Sequence, residues 1–335
     1  VGPEAFAEDP LRVVRLVRLA AELGLDADPQ TCALARRSAP QAASVAQERV
    51  FAELKRIVMG ERVIASLALM DDLGLTAAIL PELHALHGVD QNRYHHADVH
   101  AHTIEVLEQA IGLQTDPGAT FGDEHADAIR AVLCEPLGDD VDRGFGLRIG
   151  ALLHDVAKPL TLGRRDDGTP TFVGHDSAGA ELSREILSRL RAGEKLKAHV
   201  AGLARHHLRL GFLVHERPLA RRALYRYLRA TEPLEVDVTL LSVADRLATR
   251  GRKAQESIAT HLELAREVLP AALAWRAQGR RLPLIRGDAL SAELGLSDGR
   301  ELGRLLAEID EARFAGEIAT REEAVALAAR LLDGA

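Results

Sequence analysis

The chain has 335 residues, a formal net charge of −8 and only 3% aromatic residues. That length allows one large domain or two to three small ones. The charge excludes a globally basic nucleic-acid binder, so any such contact must use a local patch, and no apolar run is long enough to span a membrane.

With so few aromatics the core must be built from Leu, Ala, Val and Ile, and the Leu/Ala/Arg/Glu-rich composition favours helices over strands. The expected fold class is all-α. The two cysteines, Cys32 and Cys134, have no metal-type spacing and point to a reducing compartment. No signal peptide is visible, and the expected location is cytoplasmic.

Taken in order, Asp9-Pro10 opens a first helix as cap and first helical residue, with Leu11, Val14, Val17 and Ala21 as its apolar face. Asp28-Pro29 opens a second by the same device. Ser44 and Gln47 have capping-box spacing ahead of Val50, Leu54 and Ile57. A further helix ends at Gly74, and Thr76 caps a short one before Pro81. Residues 1–85 thus read as a small helical unit. The polar run Gln91 to His96 precedes Asp98, which caps a helix carrying His102, Val106 and Leu107. Residues 114–143, rich in Asp and Glu, read as a surface insertion with one short helix. Asp167-Gly168, between short extended runs in Thr161–Val173, is a hairpin signal and the only β element expected. Helices are expected at 177–191, 195–210, 218–229, 234–249 and 253–268. After Pro270 and a basic stretch, Arg276 to Arg286, two amphipathic helices close the chain.

The chemistry centres on Leu152-Leu153-His154-Asp155-Val156-Ala157-Lys158-Pro159. An imidazole beside a carboxylate suits a borderline divalent metal. Lys158 falls on the same helical face, at i+4 from His154 and i+3 from Asp155, where it can meet a phosphate as a point charge. His102 and Asp245 lie on two other expected helices. Asp245 sits among Leu240, Leu241, Val243 and Leu247, and a carboxylate buried there needs a partner; Arg246 or Arg250 would serve as well as a metal. His102 taken alone reads as a hydrogen-bonded structural histidine.

The ordered set His102, His154-Asp155, Asp245 resembles the signature of the HD superfamily of metal-dependent phosphohydrolases. The resemblance implies a helical fold in which the four residues converge on a divalent metal: Mg, Mn, Ni, Co, Fe or Zn. His175, in Gly174-His175-Asp176, and His207, in Arg205-His206-His207, stand where binuclear HD proteins have further ligands; as surface or phosphate-contacting histidines they read equally well. Attack by water follows from the absence of an evident Ser or Cys nucleophile, with the metal acidifying that water and Lys158 countering phosphate charge.

A narrower resemblance covers nearly the whole chain. The segments Phe6 to Ala20, Ser44 to Leu54, Pro81-Glu82-Leu83, Leu284 to Leu290 and Glu317 to Ala324 are similar, in order, to the neck and tail of bacterial CCA-adding tRNA nucleotidyltransferases and poly(A) polymerases. The resemblance implies that Asp9 and Arg12 read the edge of an incoming nucleotide, the carboxylate accepting from an exocyclic amine and the guanidinium donating to a ring acceptor. It divides the chain into a neck (1–85), an HD-type body (86–268) and a tail (269–335). The family's polymerase head, with its Gly-Gly loop and paired aspartates on a sheet, is not found, so the chain as given is not expected to add nucleotides. It opens on Val1 directly before a motif that is internal in the family, so a head is expected upstream. Leu19 stands where the family usually has Phe. The expected function is hydrolysis of phosphomonoesters or cyclic phosphates of nucleotides or RNA 3′ ends, with tRNA binding by a neck-body-tail piece as the alternative. Arginines 217, 221, 222, 226 and 229 offer a basic face for RNA. The expected partners are tRNA or other RNA 3′ ends and nucleotides, a homodimer is an allowed assembly, and no membrane is involved.

Overall fold

A computed structural model describes residues 2, 4–91, 98–250, 254–279, 282–296 and 299–333. The residues Asn92 to Ala97 of the polar run, and Arg280 and Arg281 of the basic stretch, lie outside these. The chain is all-α, as its composition requires. The first helices are α1 (Ala5–Glu8), α2 (Leu11–Leu23), α3 (Pro29–Ser38), α4 (Gln47–Met59), α5 (Val63–Asp72), α6 (Leu75–Ile79) and α7 (Pro81–His84). Asp28 caps α3 through the Thr31 amide, with Pro29 as first helical residue. Asp9 accepts from the Leu11 amide at 3.2 Å, although Pro10 is the residue flanking α2. Leu11, Val13, Val14 and Val17 are buried, and Leu19 is exposed, so Leu in place of Phe there costs the core nothing.

Two expected caps do not form. The Ser44 hydroxyl donates to the Gln41 carbonyl, and Gln47 donates back to Ala43 and Val45, so α4 starts without a side-chain cap. Thr76 is inside α6 with its hydroxyl buried and without a hydrogen bond.

The body begins with α8 (Val99–Thr115), capped by Asp98 through the Ala101 amide at 2.8 Å. Residues 114–143 are not a surface insertion. They hold the end of α8, then α9 (Gly118–Phe121), α10 (Asp123–Leu133) and a hairpin of β1 (Pro136–Gly138) with β2 (Val141–Asp142). Phe121, Ile129, Val132, Leu133, Leu137 and Val141 all join the main core. Asp116 and Asp142 cap the helices that follow them, by accepting from the Ala119 and Phe145 amides. Asp142 opens α11 (Arg143–Leu153), the helix that delivers His154 and Asp155. The second hairpin, β3 (Gly163–Arg164) with β4 (Pro170–Thr171), lies where Asp167-Gly168 marks it. Then come α12 (His175–Arg189), α13 (Glu194–His206), α14 (Arg209–Leu213), α15 (Arg221–Thr231) and α16 (Glu235–Leu247).

Helix α17 (Ala254–Gln278) runs through Pro270 rather than stopping before it. Val268, Leu269 and Ala272 are fully buried on either side of the proline. At roughly 2 kcal/mol or more per buried Val or Leu, that burial offsets a helix-interior proline of about 3 kcal/mol. Three helices, not two, complete the described chain: α18 (Gly287–Leu294), α19 (Arg300–Ala315) and α20 (Arg321–Asp333). One apolar cluster runs from Phe6 to Ala272, and a separate small one runs from Ile285 to Ala328.

Helix α11 sits at the centre and packs on α8, α13 and α16. Its approach to α13 uses two glycines: a Cβ on Gly146 would come within 2.6 Å of His199 Cδ2, and one on Gly150 within 2.5 Å of Leu203 Cδ1. His199 is buried there, 3.5 Å from Asp237. Burial pushes its pKa down to about 4, against roughly 6.5 for an unfolded histidine. Between those values the unfolded chain binds a proton that the folded chain refuses, so stability falls as pH drops through this window. His261, also pushed down to about 4 by burial, acts in the same direction. One such histidine, fully expressed, accounts for on the order of 3 kcal/mol. Thermal midpoints should therefore fall steadily from about pH 6.5 to about pH 4, and His199→Gln should flatten the slope. A midpoint that holds constant down to pH 4 would contradict this.

Candidate metal centre

Five elements deliver six side chains to one place. His102 comes from the second turn of α8, His154 and Asp155 from the turn after α11, His175 from the start of α12, His207 from the end of α13, and Asp245 from the last turn of α16. Two groups form, each with ligand atoms within 4.8 Å of one another: His102, His154 and Asp245, and Asp155, His175 and His207. Asp155 joins them. Its Oδ2 lies 3.2 Å from His154 Nε2 and 3.9 Å from His102 Nε2; its Oδ1 lies 3.4 Å from His175 Nε2 and 3.9 Å from His207 Nε2. Asp245 Oδ1 is 3.0 Å from His102 Nε2, so the salt bridge to Arg246 or Arg250 is not its partner. The histidine at 102 is part of the cluster and not a lone structural residue.

The imidazoles are oriented by backbone. The Nδ1 atoms of His154, His175 and His207 sit 2.8, 2.6 and 2.6 Å from the carbonyls of Ala151, Phe172 and Ala204, each three residues earlier. A carbonyl only accepts, so each Nδ1 carries a proton and each ring turns its Nε2 inward, where a neutral ring offers a lone pair. His175 Nε2 and His207 Nε2 stand 3.3 Å apart. Two lone pairs at that distance repel; a proton on one Nε2, or a cation beside both, makes the contact favourable. Burial, then His154, pushes the His207 pKa down to about 4. Burial also opposes charge on His154, but Asp155 and Asp245 outweigh it and raise its pKa. Burial likewise opposes ionisation of the two carboxylates; His154 and Lys158 hold Asp155, and His102 holds Asp245, well below the usual range. Two ionised carboxylates and four inward imidazoles are the mixed N/O donor set of a borderline divalent cation, and these groups could hold one.

The cluster floors a cleft of about 480 Å³. Asp245 keeps 26% of its side chain open. Lys158, 8% exposed, pairs with Asp155 Oδ2 at 2.6 Å and donates to Gln91 Oε1 at 2.9 Å, above the Phe172 ring. Arg165, from the β3–β4 turn, also lines this cleft with Phe172. Sequence reasoning passed over Arg165, Phe172 and Gln91; the one available signal was a basic hairpin directly after the His-Asp pair. A larger depression of about 800 Å³, between α4 and the β1–β2 turn, is lined by Lys55, Arg56 and Asp139 among others, without a histidine.

Asp9 and Arg12 lie elsewhere, on the neck. Arg12 Nη1 donates to the Ala5 carbonyl at 2.9 Å and faces Glu8; Asp9 Oδ2 is 3.2 Å from Arg49. The basic face is also committed within the chain. Arg222 binds Glu308, Glu311 and Glu317, Arg226 reaches Glu311, Arg221 donates to the Phe314 carbonyl, Arg217 meets Glu263, and Arg229 meets Glu232. Arg221, Arg222 and Arg226 tie α15 to the tail helix α19 and its flank, Arg217 reaches α17, and Arg229 pairs at the end of its own helix. The Arg226 and Arg229 side chains stay 63% and 65% exposed.

Residues 24–86 match a family model described as the probable RNA and SrmB-binding site of polymerase A, and residues 99–250 match the HD domain. The CC-adding tRNA nucleotidyltransferase of Thermus thermophilus is 35% identical over 334 residues, 97% of this chain and 67% of that protein. The A-adding tRNA nucleotidyltransferase of Deinococcus radiodurans is 32% identical over 337 residues, 98% of this chain and 70% of that protein. Among solved structures, a CCA-adding enzyme with CTP shares the fold at a TM-score of 0.54 and 14% identity, over 99% of this chain and 62% of that one. Among the described residues no helix is long and apolar enough to cross a membrane.

Proposed function

The chain belongs to the tRNA nucleotidyltransferase family, and from that premise we propose that its body is a metal-dependent phosphohydrolase acting on phosphomonoesters or cyclic phosphates of nucleotides or RNA 3′ ends. The observation that carries this reading is Asp155, whose two oxygens face two separate groups of imidazoles. In this reading His102, His154, Asp155 and Asp245 hold one divalent ion, and His175 and His207 hold a second with Asp155 between. The fit is supported by the opposed Nε2 atoms of His175 and His207, which a cation between them would satisfy. A divalent ion bound here supplies positive charge against phosphate oxygens and makes a water molecule more acidic. The protein's own groups do the rest. Backbone carbonyls hold the imidazole edges inward, so no reorientation is needed at the moment of reaction. Lys158 stands at the cleft side of Asp155 to receive a phosphate oxygen, and Arg165 provides a second cation at the rim.

The division into neck (1–85), body (86–268) and tail (269–335) is part of the proposal; the separate apolar cluster that begins at Ile285 supports a distinct tail, while α17 carries the body core on through Leu269 and Ala272. Asp9 and Arg12 are proposed to read a nucleotide edge, which requires Arg12 to leave the Ala5 carbonyl. The second reading, a tRNA-holding neck-body-tail unit within an enzyme that adds nucleotides, is favoured by the match over residues 24–86. The chain spans 62% of the solved enzyme's length.

The test is hydrolysis of 2′,3′-cyclic nucleotides and of a generic phosphodiester with Mg, Mn, Ni, Co, Fe or Zn added singly. Lys158→Ala should keep the metal content and lower kcat/KM by about ten- to a hundredfold, through a raised KM. No hydrolysis with any of the metals would overturn the phosphohydrolase and leave the tRNA-holding reading.

A further inference from the structure

A second set of imidazoles lies apart from the centre, where the neck meets the body. Asp71 is in the last turn of α5, His84 ends α7, His87 is in the turn that follows, and His100 is the second residue of α8. The ligand atoms of Asp71, His84 and His87 all lie within 4.8 Å of one another. His87 Nε2 is 3.6 Å, and His100 Nε2 is 3.3 Å, from Asp71 Oδ2. Both distances exceed the usual 2.7–3.2 Å of an N–H···O bond. They match the edge of a tetrahedron, roughly 3.4 Å, around an ion with metal–ligand bonds of about 2.0–2.1 Å. The His87 and His100 rings stack, centroids 3.6 Å apart at 24°, and must part for both in-plane Nε2 lone pairs to reach one ion.

The carboxylate is the telling member. Asp71 Oδ1 is buried without a hydrogen bond, a costly state for a charged oxygen. Its neighbour Asp72 takes Arg36 at 2.6 Å; Asp71, among the described residues, is paired only with imidazoles.

We propose that Asp71, His84 and His87, joined by His100, form a zinc-type divalent metal site that staples neck helix α5 to body helix α8. Three nitrogens and one oxygen are a closed tetrahedral set, which is the pattern of a structural site rather than a catalytic one. The site has a mechanical consequence. His100 and His102, two residues apart near the start of α8, leave it in different directions, one to this site and one to the metal centre. The turn before α8 is already tied to it, by the Gly88 amide to Asp98 Oδ2 at 2.7 Å and the Val99 amide to the Val89 carbonyl at 3.1 Å. An ion at Asp71 fixes the start of α8 from the neck side, and with it the position of His102.

The experiment uses the full chain, stripped by a chelator and dialysed against zinc, with zinc per chain read by mass spectrometry and thermal midpoints read with and without zinc. It is done in wild type and in Asp155→Asn, so that this site and the main centre are counted separately. His84→Gln/His87→Gln, at exposed positions, should lose one zinc in both backgrounds, weaken zinc binding by at least about 10–100-fold, and shrink the zinc-dependent rise in midpoint. The near-isosteric Asp71→Asn should do the same and guards against a folding defect in the double variant. Unchanged zinc content and an unchanged midpoint rise in both variants would overturn the site, whatever the hydrolysis assays give.

Discussion

Asp155→Asn should strip the centre of its metal and lower hydrolysis by at least about 100-fold while the helices stay folded. Changing a residue that merely supports a metal ligand already costs about 10–100-fold, and Asp155 is proposed as a ligand to both ions. Asn keeps the volume but removes the charge that holds five neighbours: His154, His175, Lys158 and, at 3.9 Å each, His102 and His207. Lys158 keeps Gln91 and the Phe172 face, so its loss of Asp155 does not leave it bare. Metal content, circular dichroism and hydrolysis on the same preparation check the prediction. An Asp155→Asn chain with wild-type metal content and wild-type turnover would remove the basis of the mechanism.

Local chemistry made parts of this arrangement readable. Asp28-Pro29 and Asp98 are caps because a carboxylate next to a helix start has amides to accept from, whatever the fold. The order His102, His154-Asp155, Asp245 was legible only through its resemblance to the HD signature; residue by residue, His102 and Asp245 read as structural. What sequence could not give was who meets whom. The acidic run 116–142 looks like a solvated insertion. In the structure Asp116 and Asp142 are caps, and Glu135 is a partner of Arg276, 141 residues on. Arg222 looks like part of a phosphate-binding face because its acidic partners, Glu308, Glu311 and Glu317, lie 86 to 95 residues away. Pro270 looks like a stop because propensity is local, while the burial of Leu269 and Ala272 is tertiary. Arg165 carries no motif, and only the fold of the β3–β4 hairpin brings it to the cleft.

The second large effect concerns what holds α11 against α16. Arg143, the first residue of α11, forks onto both oxygens of Asp237 in α16, with Nε to Oδ1 at 3.2 Å, and its Nη2 also donates to the Pro233 carbonyl at 2.8 Å. Both side chains are buried, Asp237 completely. Removing one partner of such a pair strands the other charge in the core, at a cost of about 3–5 kcal/mol. Glu135 near Arg143 already belongs to Arg276, and burial opposes charge on His199 beside Asp237, so a replacement partner for either charge itself costs free energy. Arg143→Met alone should therefore destabilise the chain by about 3–5 kcal/mol, while Arg143→Met/Asp237→Leu should recover most of that, since an apolar pair of similar volume dispenses with both desolvation costs. The same two helices carry His154-Asp155 and Asp245 to the centre, one at the far end of α11 and one at the far end of α16. Loss of the clamp should therefore loosen metal binding as well as lower stability, although Arg143 touches no ligand. Denaturant titration of both variants, with metal content measured below the transition, separates the two effects. If Arg143→Met unfolds at the wild-type midpoint, the pair does not hold the helices. If the double variant is as unstable as the single one, the stranded charge is not the cause.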